Sequence, residues 1–202
     1  VYDRGSGAIY AAAASEWHGS AVWRSTDLGE TWALSSEGLA YDDGGTRKIS
    51  KVSTLAAAHG RVLVGVEAAG IFESRDGAES WTRLTNLDGQ PGREDWDNPG
   101  SQPPGHLGVS AIMPDPDDPA RFWSIVQGVG FFESTDDGAT WTPRNRGLRA
   151  EWPRPHEEIG HDAVRVGDGP AGIGVEGPRP RHRGQEALRA QGVDRRTLNG
   201  AP

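Results

Sequence analysis

Four acidic residues carry the chemistry most worth testing in this sequence. Asp95 and Asp97 flank Trp96, and Glu157 and Glu158 follow Trp152 after Arg154 and His156. Two carboxylates can cleave a glycosidic bond, one as acid and one as base; inverting enzymes hold them roughly 6.5–9.5 Å apart. Tryptophan beside carboxylates suits a sugar, because an indole face packs against C–H groups. Trp96, His106, Trp152, Arg154 and His156 together make a candidate ligand surface. The competing reading is that these acids are solvated loop charges and that the tryptophans cover apolar edges.

Two other patterns look like metal sites and are read otherwise. His156 and His161 bracket two glutamates, but five residues on a helix separates them by about 140°. Pro155 and Gly160 also oppose a helix there. The stretch from Pro114 to Pro119 is rich in Asp yet lacks the spacing of a loop that wraps calcium; it reads as a proline-stiffened turn. No metal and no cofactor is expected.

The elements that must position these residues come from a repeat. Ser25 to Trp32, Ser74 to Trp81 and Ser134 to Trp141 share the pattern S-x-D-x-G-x-x-W. The aspartates Asp27, Asp76 and Asp136 are 49 and 60 residues apart. The first and third copies place glycine at Gly29 and Gly138; the second has Ala78 there and Gly77 one place earlier. An Asp that binds backbone amides and a Gly at positive φ make a hairpin turn. The tryptophans Trp32, Trp81 and Trp141 are then expected to lie between sheets. Ahead of each box stand two apolar strands joined by a Gly-containing turn, and farther upstream lies a shorter apolar stretch. That is about four strands per unit, the number in a propeller blade.

The expected fold is all-β: a partial β-propeller of about three four-stranded Asp-box blades plus an irregular C-terminal tail. Blades fall at about 1–40, 41–88 and 106–148, within a region 1–161. A polar insertion of about 86–108 separates the second and third, and a loop this long is often functional. Both it and the connection after 144 leave between the last strand of one blade and the first of the next. They should emerge together, away from the box turns.

Beyond Asp162 there is no aromatic residue and no box. The segment 162–202 reads either as a disordered tail or as unrelated sequence replacing a fourth blade, as a reading-frame change would produce. The abrupt loss of pattern favours the second.

The boxes, with Pro114 to Trp123 ahead of the third, resemble the Asp-box repeats of bacterial BNR-repeat proteins. That superfamily includes sialidases, some endo-glucanases and xyloglucanases, sortilin-type receptor domains and photosystem assembly factors. The resemblance covers roughly residues 1–160 and implies the fold. It implies a structural box, remote from any catalytic face, and does not by itself imply an activity. A sialidase would need an arginine cluster, a Tyr–Glu nucleophile pair and an acid/base Asp. Here the tyrosines are Tyr2, Tyr10 and Tyr41, and no Arg-Ile-Pro precedes the first box. Three blades do not close a ring of the usual four to eight. The expectation is thus a glycosyl-hydrolase-like or sialidase-like propeller segment without a complete active site. The alternative is a non-catalytic platform for a glycan or a protein. Open propeller edges imply self-association.

Bulk composition narrows the partners. A formal net charge of −8 over 202 residues disfavours nucleic acid, which selects positive faces. No apolar run approaches the roughly 20 residues that span a bilayer, so no membrane partner is expected. The chain has no cysteine and begins with Val1, without a basic-then-apolar leader. A processed N-terminus is expected, and the compartment is left open.

Overall fold

A computed structural model describes residues 1–15, 19–45, 47–93, 96, 107–146, 165–169 and 172–176. Its strands form antiparallel meanders in chain order. Blade one holds β1 (Ile9–Ser15), β2 (Gly19–Ser25) and β3 (Ala33–Ser35). Its inner strand is reduced to a single bridge, Tyr2 to Ile9. Blade two holds β4 (Val52–Ala58), β5 (Arg61–Val66), β6 (Gly70–Ser74) and β7 (Thr82–Arg83). Blade three repeats it with β8 (Val109–Pro114), β9 (Phe122–Val126), β10 (Gly130–Ser134) and β11 (Thr142–Pro143).

The register is the same in each blade. Ile9, Val62 and Phe122 stand opposite Ser25, Ser74 and Ser134. Even the irregularity repeats: the inner strands of blades two and three shift register at Val52/Thr54 and at Val109/Ala111. A further hairpin, β12 (Arg165–Gly169) with β13 (Gly172–Glu176), falls in the segment expected to be irregular. The rest of 162–202 lies outside the described residues.

Blade two shows how the core is built. All six residues of β5 are buried, because a sheet covered on both faces needs apolar side chains at every position. Val62, Val64, Phe72 and Trp81 join Tyr10 and Val22 of blade one in one cluster. Leu63 and Ile71 join Phe122, Phe132 and Trp141 of blade three in another. Alternation along a strand thus glues one sheet to both neighbours. The sheets approach closely at Gly65, where an added Cβ would stand 2.6 Å from a Val109 methyl.

One expectation about the core needs correcting. Trp81 and Trp141 are buried, at 4% and 5% exposure, but Trp32 is 42% exposed. The reason is directional: each box tryptophan packs backward. The indole N–H of Trp81 donates to Ser35 Oγ of blade one at 2.8 Å. Its backbone N–H donates to Glu37 O at 2.9 Å. Trp141 meets blade two, where Gln90 Nε2 donates to its carbonyl at 3.0 Å. No sheet precedes blade one among the described residues, so Trp32 has no surface to bury against.

Candidate functional site

Meander topology separates two ends. Strands alternate in direction, so the box turns and the hairpins between inner strands share one end. The connections between blades share the other.

At the first end the three boxes have one geometry. In each, a Ser hydroxyl donates to the Asp carboxylate: Ser25 to Asp27 at 2.8 Å, Ser74 to Asp76 at 2.6 Å, Ser134 to Asp136 at 2.9 Å. The same Ser oxygen accepts a backbone N–H from Gly29, Ala78 or Gly138 at 2.8–2.9 Å. A second hydroxyl closes the turn. Thr31, Ser80 and Thr140 each donate both backbone N–H and side-chain O–H to the Asp. The eight-residue pattern read from sequence left that seventh position free. The signal was present, since all three copies carry Thr or Ser there.

The backbone explains the second copy's departure. Each turn places two consecutive residues at positive φ: Leu28 and Gly29, Gly77 and Ala78, Asp137 and Gly138. Such a pair needs little steric bulk, and one glycine at either position lowers the strain. Gly77 therefore does in the second box what Gly29 and Gly138 do in the others.

Hydrogen bonding holds these carboxylates in their charged form. Asp27 is lowered to about 2, chiefly by the Thr31 hydroxyl and amide and then by Ser25. Asp76 falls below the usual carboxylate range through the Ser74 and Ser80 hydroxyls, and Asp136 is lowered first by Thr140. A carboxyl whose folded pKa lies below its unfolded value, about 4 for Asp, stabilises the fold fully above that value and loses the contribution as pH falls through the folded pKa. Wild type should therefore exceed Asp76→Asn in stability by a constant margin at neutral pH. That margin should shrink below about pH 4. Thermal melts of both proteins from pH 7 to pH 2 check this; a margin that does not change with pH would refute it.

The same end carries one set of inter-blade polar contacts. Arg61, 4% exposed, reaches from blade two to Pro119 O at 3.1 Å and to Asp137 in the third box, and pairs with Glu73 at 2.7 Å. Its guanidinium carbon lies 5.1 Å from the centre of the Phe122 ring. Between blades one and two, Arg24 faces Glu79 at 3.8 Å. In the proline-stiffened turn, Asp115 accepts the amides of Asp117 and Asp118 at 2.9 and 3.2 Å. Those contacts shape a turn.

At the other end the insertion begins with a 3-10 turn, Thr85–Gly89. Three arginines converge on its Asp88: Arg47 at 3.1 Å, Arg93 at 3.2 Å, and Arg83. Arg47 and Arg83 also lie over the Tyr41 ring, 4.5 and 4.7 Å from its centre. Arg47 also pairs with Asp43, and Arg83 with Asp42. Three cations and three carboxylates thus join the first inter-blade connection to the second. Sequence gave little sign of this, because Arg47 and Asp88 are 41 residues apart.

Trp96 departs from its expected place. It is 2% exposed, within the core between blades two and three. Its ring centre is 5.7 Å from that of Phe132, and Arg93 covers it at 5.0 Å. A buried indole offers no face to a sugar, so Trp96 anchors the insertion instead. The neighbouring acids Asp95 and Asp97 lie outside the described residues. So do His106, Trp152, Arg154, His156, Glu157 and Glu158.

Antiparallel meanders stacked face to face, in one register and with the same turn at one end, define a partial β-propeller. No family profile and no curated protein matches the sequence. Among solved structures it is similar to an ancestral GH74 enzyme at 16% identity and a TM-score of 0.42, over 65% of this chain and 16% of that one. A GH74 xyloglucanase from Xanthomonas campestris aligns at 19% identity and a TM-score of 0.29, over 70% and 29%. YCF48 bound to a D1 peptide aligns at 16% and 0.32, over 66% and 48%. The chain thus spans less than half the length of each of these proteins. Among the described residues no helix is long and apolar enough to cross a membrane.

Proposed function

We propose that the chain is a segment of an Asp-box (BNR-repeat) β-propeller of glycosyl-hydrolase-like type. In this reading its loop end binds carbohydrate, and these blades alone lack a complete catalytic set. One observation carries the reading: three boxes with the same hydrogen-bond pattern share one end, leaving the long inter-blade connections together at the other. Loops gathered on one end of a rigid scaffold are where a propeller would place a ligand surface.

The ligand surface is assigned to His106, Trp152, Arg154 and His156, with Asp95, Asp97, Glu157 and Glu158 as the acids beside it. Trp96 is removed from that surface and given the role of pinning the insertion. Titration with neutral and sialylated oligosaccharides, followed by tryptophan fluorescence, tests this. Saturable binding should be abolished by Trp152→Ala, and the chain should release no sugar from either class. Absence of binding to both classes would overturn the carbohydrate reading. Turnover lost in Asp95→Ala or Glu157→Ala would overturn the claim of an incomplete site.

A further inference from the structure

Two consecutive alanines of blade two hold a backbone conformation that side chains avoid. Ala68 and Ala69, in the hairpin between β5 and β6, have φ of 68° and 51°. Left-handed backbone strains any residue with a Cβ, and such strain persists only where its surroundings hold it. Blade three has glycine, Gly128, at the place of Ala68. Both alanines are buried, at 5% and 0% exposure.

What holds this turn comes from both inter-blade connections. From the first, 36–51, the Tyr41 hydroxyl donates to Ala68 O at 3.2 Å. Ser50 Oγ donates to the Glu67 carboxylate at 2.6 Å, and the Glu67 backbone N–H donates to Lys51 O at 2.9 Å. From the insertion, Arg93 donates to the same Ala68 O at 2.9 Å. Gly108, at the insertion's far end, bridges to Glu67. Asp88 then ties the two connections directly, through Arg47 of one and Arg93 of the other. Burial, and then the charge of Arg47, push Arg83 below its ordinary pKa. The arginines around Asp88 therefore repel one another without it.

We propose that the two connections form one cooperative unit: the first connection and both ends of the insertion open and close together about the Ala68–Ala69 turn, while the blades stay folded. Ala68 O and Asp88 are shared, so neither connection leaves without breaking bonds on which the other relies. Releasing one removes a donor from the strained turn and a cation from Asp88, which loosens the grip on the other. Shared contacts of this kind make the coupling reciprocal. An event at one connection thus has a route to the other, whatever occupies the loop end. Native proteins open locally in contiguous units of this sort.

Native-state hydrogen exchange of the full chain tests this. The reporters are the bonded amides of Arg47 and Glu67 on one side, and of Arg93 and Trp96 on the other. Arg47→Gln should speed exchange at Arg93 and Trp96 by about tenfold or more, and Arg93→Gln should speed position 47 and Glu67 by a similar factor. The Leu63 and Val64 amides of β5 should not change in either variant. Asp42→Asn should leave every reporter unchanged, because Asp42 is 82% exposed and pairs with Arg83 alone. In the unmodified chain, all four reporters should share one urea dependence, weaker than that of β5. Effects confined to the substituted connection would overturn the proposal. So would β5 amides that speed up with the reporters, or reporters whose urea dependences differ.

Discussion

Replacing Trp81 with Ala is expected to lower the unfolding free energy by about 3–5 kcal/mol, the usual range for a large buried aromatic. The same change at Trp32 should cost less than about 1 kcal/mol in dilute, monomeric protein, as for most exposed positions. Both residues close the same eight-residue turn. The difference lies in the neighbour. Trp81 is 4% exposed, and its indole N–H donates to Ser35 Oγ. Trp32 is 42% exposed, and its indole N–H donates to Gly29 O within its own turn at 3.1 Å. Removing Trp81 thus leaves a cavity between two sheets, whereas removing Trp32 leaves a smaller exposed patch. Urea denaturation of both variants decides it. Equal losses would mean that the tryptophan serves the turn and not the seam between blades.

A second large loss is expected at Arg61. Truncation to Ala should cost about 3 kcal/mol, the low end of the range for breaking a buried ion pair, because Arg75 still faces Glu73 at 3.2 Å. Glu73, whose side chain is 13% exposed, would lose the pair at 2.7 Å. Pro119 O would lose its donor, and Phe122 would lose the guanidinium above it. Asp137→Ala should cost under about 1 kcal/mol, because that side of the network is open to water. Its side chain is 45% exposed. The asymmetry follows from which group is buried, not from which contact is shorter. Lys at position 61 should rescue little, since an ammonium cannot reach three acceptors in different directions as a guanidinium fork does. Comparable losses for Arg61→Ala and Asp137→Ala in urea titrations would show that the network is held by its exposed member.

The two expectations about tryptophan that failed share a cause. Trp32 and Trp81 are indistinguishable by motif, and Trp96 sits in a stretch of charges, prolines and glycines that reads as an exposed loop. In both cases local sequence gives the wrong burial, because burial is set by surfaces far away in the chain. Phe132 covers Trp96 from 36 residues downstream, and Arg93 closes it from the other side. The convergence of Arg47, Arg83 and Arg93 on Asp88 is equally non-local. Its members come from two connections and from β7, and they meet only after blades one and two have stacked.

What the sequence determined by itself is everything closed within a few residues. The box turns were legible because Ser and Asp bond each other and the backbone between them. Even the exchange of Gly77 and Ala78 is a local matter of two successive positive φ values. The order of strands within each unit followed from the same spacing. The tertiary structure alone decided which copies of the motif are interior and which charges are paired. Those properties depend on having a neighbouring sheet, and blade one has a neighbour on only one side among the described residues. A hydrogen-bonded turn carries its partners with it, whereas an apolar face takes its meaning from whatever comes to lie against it.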